Sequence, residues 1–150
     1  MDMRKDYRSD FPLIVNSSIA YLDNAATAQR PQCVIDAESD FYLRHNANPM
    51  RGLYELSIEA TDIYENARET VRKFIGAAST EEVVFTRNTT ESLNLVAYSY
   101  GLTHVKAGDE VLVSIMEHHS DLLPWQMVCR QTGAELKFIE CAPDGSVDLR

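Results

Sequence analysis

Apolar and polar positions along the chain follow two different periods. Over residues 57–75, Ala60, Ile63, Tyr64, Ala67, Val71, Phe74 and Ile75 recur every three or four places, which predicts one amphipathic helix. Glu65 and Glu69 stand at helical spacing from Arg68, Arg72 and Lys73 on its opposite, solvated side, and Gly76 is placed to end it. Pro31 suits the first turn of an earlier helix that carries Val34, Ile35, Phe41 and Tyr42 to about residue 43. Shorter apolar runs predict strands at residues 19–22, 83–85, 110–116 and 135–140. The run EVLVSIM at 110–116 is nearly apolar throughout, as in a parallel strand covered on both faces. Between the last three strands lie two more helical patterns. One opens at Glu91, carries Leu93, Val96, Ala97 and Tyr100, and meets Gly101 as its stop. The other starts at Pro124, passes through Val128 and Cys129, and stops near Gly133. Asn46–Gly52, Ala107-Gly108-Asp109 and Pro143-Asp144-Gly145 read as loops and turns. Strand, helix, strand, helix, strand implies right-handed crossovers and a mainly parallel α/β sheet with flanking helices.

Bulk composition narrows the function classes. The 150 residues are enough for a domain with a core, and 45% hydrophobic with 25% charged residues is ordinary for a globular protein. A net charge of −9 argues against nucleic acid and against an anionic membrane surface as partners. No apolar run approaches membrane-spanning length, and the first residues lack the continuous apolar region of a secretory signal. Cys33, Cys129 and Cys141 are irregularly spaced with no CxxC pair, so neither a disulfide framework nor a structural zinc site is indicated, and a reducing, cytoplasmic compartment is expected.

Candidate chemistry gathers where strands are expected to end. After residues 83–85, Thr89 or Thr90 is placed to cap the following helix, beside unpaired N–H groups at the positive end of its dipole. Such an end attracts phosphate, although an ordinary N-cap uses the same residues with no ligand. His118 follows the strand at 110–116 and so falls on the same rim of a parallel sheet, where ligands bind. An imidazole there either stacks on an aromatic ring or exchanges protons near neutral pH. His118, His119 and Cys129 are a poor metal set, because adjacent histidines point different ways, and no metal site is expected. Small residues at Asp23–Ala28 allow close backbone approach, and Arg51 is a potential carboxylate or phosphate partner.

Several segments, in order, resemble the SUF-type (group II) cysteine desulfurases of the class-V aminotransferase superfamily: YLDNAATAQRP, MRGLYELS, FTRNTTESLNLVA, MEHHSDLLPWQ and GAELKFI. The resemblance runs from about residue 19 to 150. It implies a fold type I large domain that binds pyridoxal 5′-phosphate (PLP), here incomplete, with residues 1–18 as a polar N-terminal arm and 19–150 as the N-terminal part of the PLP domain. By this resemblance Thr90 holds the phosphate by its hydroxyl and Thr89 chiefly by backbone. His118 stacks on the pyridine ring and helps move protons. Ala25 and Ala26 line the substrate side, and Arg51 sits in a loop reaching the other subunit of a homodimer. Met50 stands where related sequences often carry histidine.

The implied reaction converts L-cysteine to L-alanine, with PLP as electron sink and an enzyme thiolate taking the sulfur as a persulfide for an acceptor protein in iron–sulfur cluster assembly. L-selenocysteine is the alternative substrate. A class-V aminotransferase, a kynureninase-like or epimerase enzyme, and a non-catalytic truncated product are the alternative identities. Lys5, Lys73, Lys106 and Lys137 do not match the family's Ser-x-His-Lys pattern, and the three cysteines match none of its catalytic positions. The expectation is therefore an N-terminal portion holding half of the cofactor cradle, inactive by itself.

Overall fold

In a computed structural model, which describes residues 6–147, the chain divides into two compact units, Met1–Val83 and Val84–Arg150. Lys5, Arg150 and the outermost part of the expected N-terminal arm lie outside the described residues.

The first unit is helical. After a 3-10 turn at Arg8–Asp10 come α1 (Pro12–Val15), α2 (Gln32–Asp40) and α3 (Glu55–Ile75). Residues 19–22 form no strand. Instead Tyr21 folds back, its hydroxyl donating to the Thr27 carbonyl at 2.8 Å, so the segment satisfies its groups locally and builds no ladder. Pro31 is the residue before α2 rather than its first turn, with φ −69° and ψ 154°. Beyond Asp40 the helix widens into a π-turn at Phe41–His45. His45 pairs there with Glu59 of α3 at 3.1 Å and with Asp40 at 3.6 Å.

α3 begins two residues earlier than its apolar pattern predicts and ends at Gly76, whose φ of 71° takes the left-handed turn that a Cβ disfavours. Ala60 is 1% exposed, whereas Phe74 is 90% exposed, so only part of the expected apolar face is covered. On its charged side, Arg72 donates to Glu69 at 2.6 and 2.9 Å and Lys73 lies at 3.4 Å. Together, and chiefly through Arg72, they push the Glu69 carboxyl down to about 2.

The second unit carries the α/β character. Val83 is extended, at φ −105° and ψ 113°, but residues 83–85 belong to no strand of the described sheet, so the expected central strand is not formed among the described residues. β1 (Glu110–Ser114) and β2 (Glu135–Ile139) form a parallel pair in the register Val111↔Leu136 and Val113↔Phe138. A parallel pair needs a crossover, and α6 (His119–Thr132) supplies it while packing on both strands. Val113 is buried but its neighbour Leu112, on the other face, is 62% exposed, so β1 is covered on one side rather than two.

α4 (Thr89–Val96) continues through a π-turn at Ala97–Gly101 into α5 (Leu102–His104), and α4 and the π-turn pack on α6. Gly101 therefore does not stop the helix. Its φ of −57° is ordinary helical backbone, which any residue adopts. Glycine serves closeness instead: a Cβ there would lie 3.0 Å from Val128 Cγ2 and 3.2 Å from Trp125 Cζ3. Val128 and Ala97 are both fully buried at this contact. Pro124 likewise sits inside α6, not at its start. α6 opens five residues earlier because His118 caps it, and Gly133, with φ 79°, ends it as expected.

Two outcomes follow. Gly101→Val should cost about 1–3 kcal/mol, the usual range for overpacking a filled core, measured by denaturant unfolding; an unchanged midpoint would contradict the close-packing role. For Glu69, whose folded pKa is depressed, the ion pair's stabilisation is fully present above the ordinary value of 4.5 and is lost as pH falls toward about 2. NMR titration of Arg72→Ala should return Glu69 to the ordinary carboxylate range.

Candidate active site

The turn before α4 is tied down by residues other than its threonines. Asn88, at φ −170°, is the N-cap: its Oδ1 accepts from the Glu91 N–H at 2.9 Å. Glu91 reaches back to accept from the Arg87 N–H at 2.6 Å, completing a reciprocal cap. These bonds, first the backbone one and then the guanidinium, hold the Glu91 carboxyl below its ordinary value. Thr86 Oγ1 lies 3.1 Å from the Asn88 carbonyl and 2.6 Å from Ser92 Oγ, closing the turn. The expectation that Thr89 or Thr90 caps the helix is therefore corrected: asparagine is the stronger cap and takes the place. The consequence is chemical. Among the described residues neither threonine hydroxyl makes a hydrogen bond, and both side chains are exposed beside the free N–H groups of the first helical turn.

The turn before α6 is built in a comparable way. β1 ends at Ser114, and the Ser114 hydroxyl donates to Glu117 Oε1 at 2.7 Å. His118 then caps α6 through its ring, Nδ1 accepting from the Ser120 N–H at 3.1 Å, with the Ser120 hydroxyl 2.9 Å away. The imidazole is exposed.

These two helix starts meet. Thr90, Asn94, Tyr98, His119, Ser120, Leu123, Pro124 and Met127 line one groove of about 320 Å³. Thr90 faces His119 and Ser120 across it, while Gly101 lies beside Trp125 and Val128 further along, so the two helices run in the same direction. Their positive dipole ends are therefore neighbours, which favours an anion between or beside them. The groove is polar at Thr90, Asn94, His119 and Ser120 and apolar at Leu123, Pro124 and Met127.

Of the site residues expected from the sequence, Thr90 lines this groove and Thr89 and His118 do not; Asn94, Tyr98 and Ser120 line it unforeseen, and His119, considered only as a metal ligand, lines it too. The Asn-x-x-Glu spacing of Asn88 and Glu91 was a readable capping signal. Nothing in the sequence pattern marks Tyr98 or Ser120, which join the groove only through helix packing.

The remaining predicted residues belong to the first unit. Ala25 and Ala26 are exposed in a short turn, with Ala26 N–H donating to Asp23 O at 3.2 Å. The loop holding Arg51 is pinned to α3. The Met50 N–H donates to Thr61 Oγ1 at 2.8 Å, and the fully buried Ser57 hydroxyl donates to Asn48 O at 2.8 Å. Met50 adopts φ 65°, a strained value for a residue with a side chain, and Arg51 is exposed with no hydrogen bond or ion pair among the described residues. A Cβ on Gly52 would lie 2.7 Å from the Ser57 side chain, so the loop needs glycine there. Among the described residues no three His, Cys, Asp or Glu side chains are grouped to hold a metal, and no helix is long and apolar enough to cross a membrane.

Asn88→Ala should cost about 1 kcal/mol of stability through the lost cap, while Thr89→Ala and Thr90→Ala should change it by only a few tenths. Denaturant midpoints read this directly; a larger loss at either threonine would return the capping role to it.

Comparison with known proteins gives a consistent picture. The aminotransferase class-V model matches residues 20–150. A probable cysteine desulfurase from Synechocystis is 51% identical over 146 residues, 95% of this chain and 35% of that protein. A cysteine desulfurase from Salmonella newport is 50% identical, over 95% of this chain and 36% of its own length. The chain thus spans about a third of the length of these curated relatives. Among solved structures, the apo cysteine desulfurase from Thermococcus onnurineus superposes with a TM-score of 0.88 at 46% identity, covering 99% of this chain and 36% of that one. The cysteine desulfurase CsdA from Escherichia coli gives 0.75 at 39% identity, covering 91% and 34%.

Proposed function

This chain belongs to the aminotransferase class-V family, and we propose that it is the N-terminal part of a PLP-dependent cysteine desulfurase of the SUF type (group II). On this reading the whole protein converts L-cysteine to L-alanine and passes the sulfur, as an enzyme persulfide, to an acceptor protein serving iron–sulfur cluster assembly. Residues 1–18 are an arm, residues 19–150 are the first part of the PLP domain, and the complete protein is a cytoplasmic homodimer. The single observation that carries the reading is the shared groove: Thr90, in the first turn of α4, lines one cavity with His119 and Ser120, in the first turn of α6.

The donor set fits PLP. Its phosphate needs hydroxyl and N–H donors near positive charge. Thr89 and Thr90 offer both, because Asn88 has relieved them of capping. The ring needs a flat cover, and the exposed His118 imidazole supplies one. When bound, PLP supplies an electron sink for the carbanion formed at the substrate. The protein's share is different. Thr89 and Thr90 anchor the phosphate, His118 covers the ring and exchanges a proton through its imidazole, and Ala25 and Ala26 leave room on the substrate side. Arg51 pairs with an anionic group in the neighbouring subunit's site.

Two further tasks fall outside this chain on the same reading. The Schiff-base lysine must offer a neutral amine, yet Lys137 donates to Glu135 at 2.6 Å and lies 3.7 Å from Glu110, which raises its pKa and keeps it charged. Lys73 is paired with Glu69. The sulfur acceptor must be an accessible thiolate; Cys129 is buried and burial pushes its thiol up, while Cys33 is exposed but, like Cys141, stands at no position of the family's catalytic pattern. The 150 residues are accordingly proposed to be inactive without the sequence that completes their relatives.

Borohydride reduction of residues 1–150 with PLP should leave no pyridoxyl-lysine by mass spectrometry; a stoichiometric adduct on one lysine would overturn that assignment. In the complete protein, Thr90→Val should weaken PLP binding by about 1.5–3 kcal/mol, the worth of one charge-assisted hydrogen bond, read by dialysis and absorbance. His118→Ala should shift the PLP band and sharply cut turnover. Unchanged retention and turnover in both variants would remove these residues from a PLP site.

A further inference from the structure

His118 occupies an uncommon post: its ring, not a hydroxyl or carboxylate, caps a helix. A backbone N–H can only donate, so the Nδ1 that receives the Ser120 N–H at 3.1 Å carries a lone pair. The Ser120 hydroxyl, 2.9 Å from the same Nδ1, must then donate as well. Ser120 itself is held in the second position of α6 and borders the groove with Thr90. The same bonds fix the rotation of the ring, since turning it over would place a C–H against both donors.

From this geometry we infer that Ser120 is a positioning residue, which locks the His118 imidazole as its Nε2–H tautomer and fixes its ring plane before any ligand arrives. The inference rests on the reading of His118 as the residue that covers the cofactor ring. It goes further by stating which nitrogen carries the proton: Nε2 bears the N–H, while Nδ1 is engaged by Ser120. A pre-set ring gives up no rotational freedom on stacking, so less of the binding energy is spent on ordering it. It also means that His118 first meets its ligand as a hydrogen-bond donor at one defined atom.

The test is a long-range ¹H–¹⁵N correlation spectrum of histidine-labelled protein, recorded on the purified complete protein without added PLP. His118 should show one pyrrole-like nitrogen at Nε2 and one acceptor-type nitrogen at Nδ1. Ser120→Ala retains the backbone donor but loses the hydroxyl, so Nε2–H should still dominate and both resonances should move only part of the way toward the averaged position of a mixed tautomer. Ser120→Thr should restore the single tautomer. A proton on Nδ1 in the unaltered protein, or a Ser120→Ala spectrum identical to it, would overturn the inference. PLP absorbance on the same samples separates the two claims. The expected tautomer with no PLP uptake by the complete protein would uphold this inference and sink the functional reading. PLP uptake with the wrong tautomer would do the reverse.

Discussion

The second unit depends on how closely two helices approach. Gly101 leaves 3.0 Å from its would-be Cβ to Val128 and 3.2 Å to Trp125, and Val128 is fully buried there. Interiors are packed near crystal density, so a contact this tight fixes both the separation of the helices and their offset along each other. The offset decides the chemistry. Gly101 lies beside Trp125 and Val128, and eleven residues earlier Thr90 lines one groove with His119 and Ser120. A slip of one turn would separate the two N-termini by about 5 Å and divide the positive ends that now adjoin.

Within that frame the two starts are capped by unlike groups with the same result. At α4 an asparagine takes the cap and a glutamate closes it from the other side, leaving two threonine hydroxyls unclaimed. At α6 a histidine takes the cap with one nitrogen and keeps the other free. In both turns the local bonds consume the groups that build structure and leave exposed those able to meet a ligand. Preorganisation of this kind lowers the cost of binding, because the donors do not need to be gathered when the ligand arrives. It also costs little stability, since the exposed hydroxyls and N–H groups remain satisfied by water.

Much of this was legible in the residues. The apolar period of α3, the parallel order of β1, α6 and β2, and the stops at Gly76 and Gly133 all follow from local pattern, and local pattern is what a sequence states most directly. The strand order placed Thr90 and His118 on one sheet rim, but the described sheet has no strand before Thr90, and it is helix packing that brings Thr90 to the start of α6. What was hidden depended on neighbours distant in sequence. Gly101 has the composition of a helix stop, and only Trp125 and Val128 show that it is a packing residue. Pro124 has the composition of a helix start, but the cap offered by His118 sets the helix five residues earlier. Residues 83–85 have strand composition but lie in no strand of the described sheet, since β-propensity describes fit to a sheet rather than the presence of one. The same reason explains Leu112 and Phe74, apolar by pattern and exposed at 62% and 90%.

On the proposed reading, the division of labour between these residues and the rest of the protein follows from electrostatics. Holding an anionic phosphate requires hydroxyls, free N–H groups and helix N-termini, none of which must change protonation state. The Thr89-Thr90 turn meets that requirement with local structure only. A Schiff-base amine or a persulfide thiolate requires the opposite: a group moved away from its ordinary protonation by its surroundings. At Lys137 and Cys129 the surroundings move such groups the wrong way. Carboxylates from both strands hold Lys137 as a cation, and burial holds Cys129 as a neutral thiol. A chain with a net charge of −9 surrounds its lysines with carboxylates far more readily than it strips them of partners. Activating an amine or a thiol therefore needs a pocket walled by more elements than two strands and one crossover helix. A phosphate cup needs only the start of a helix and a residue willing to cap it.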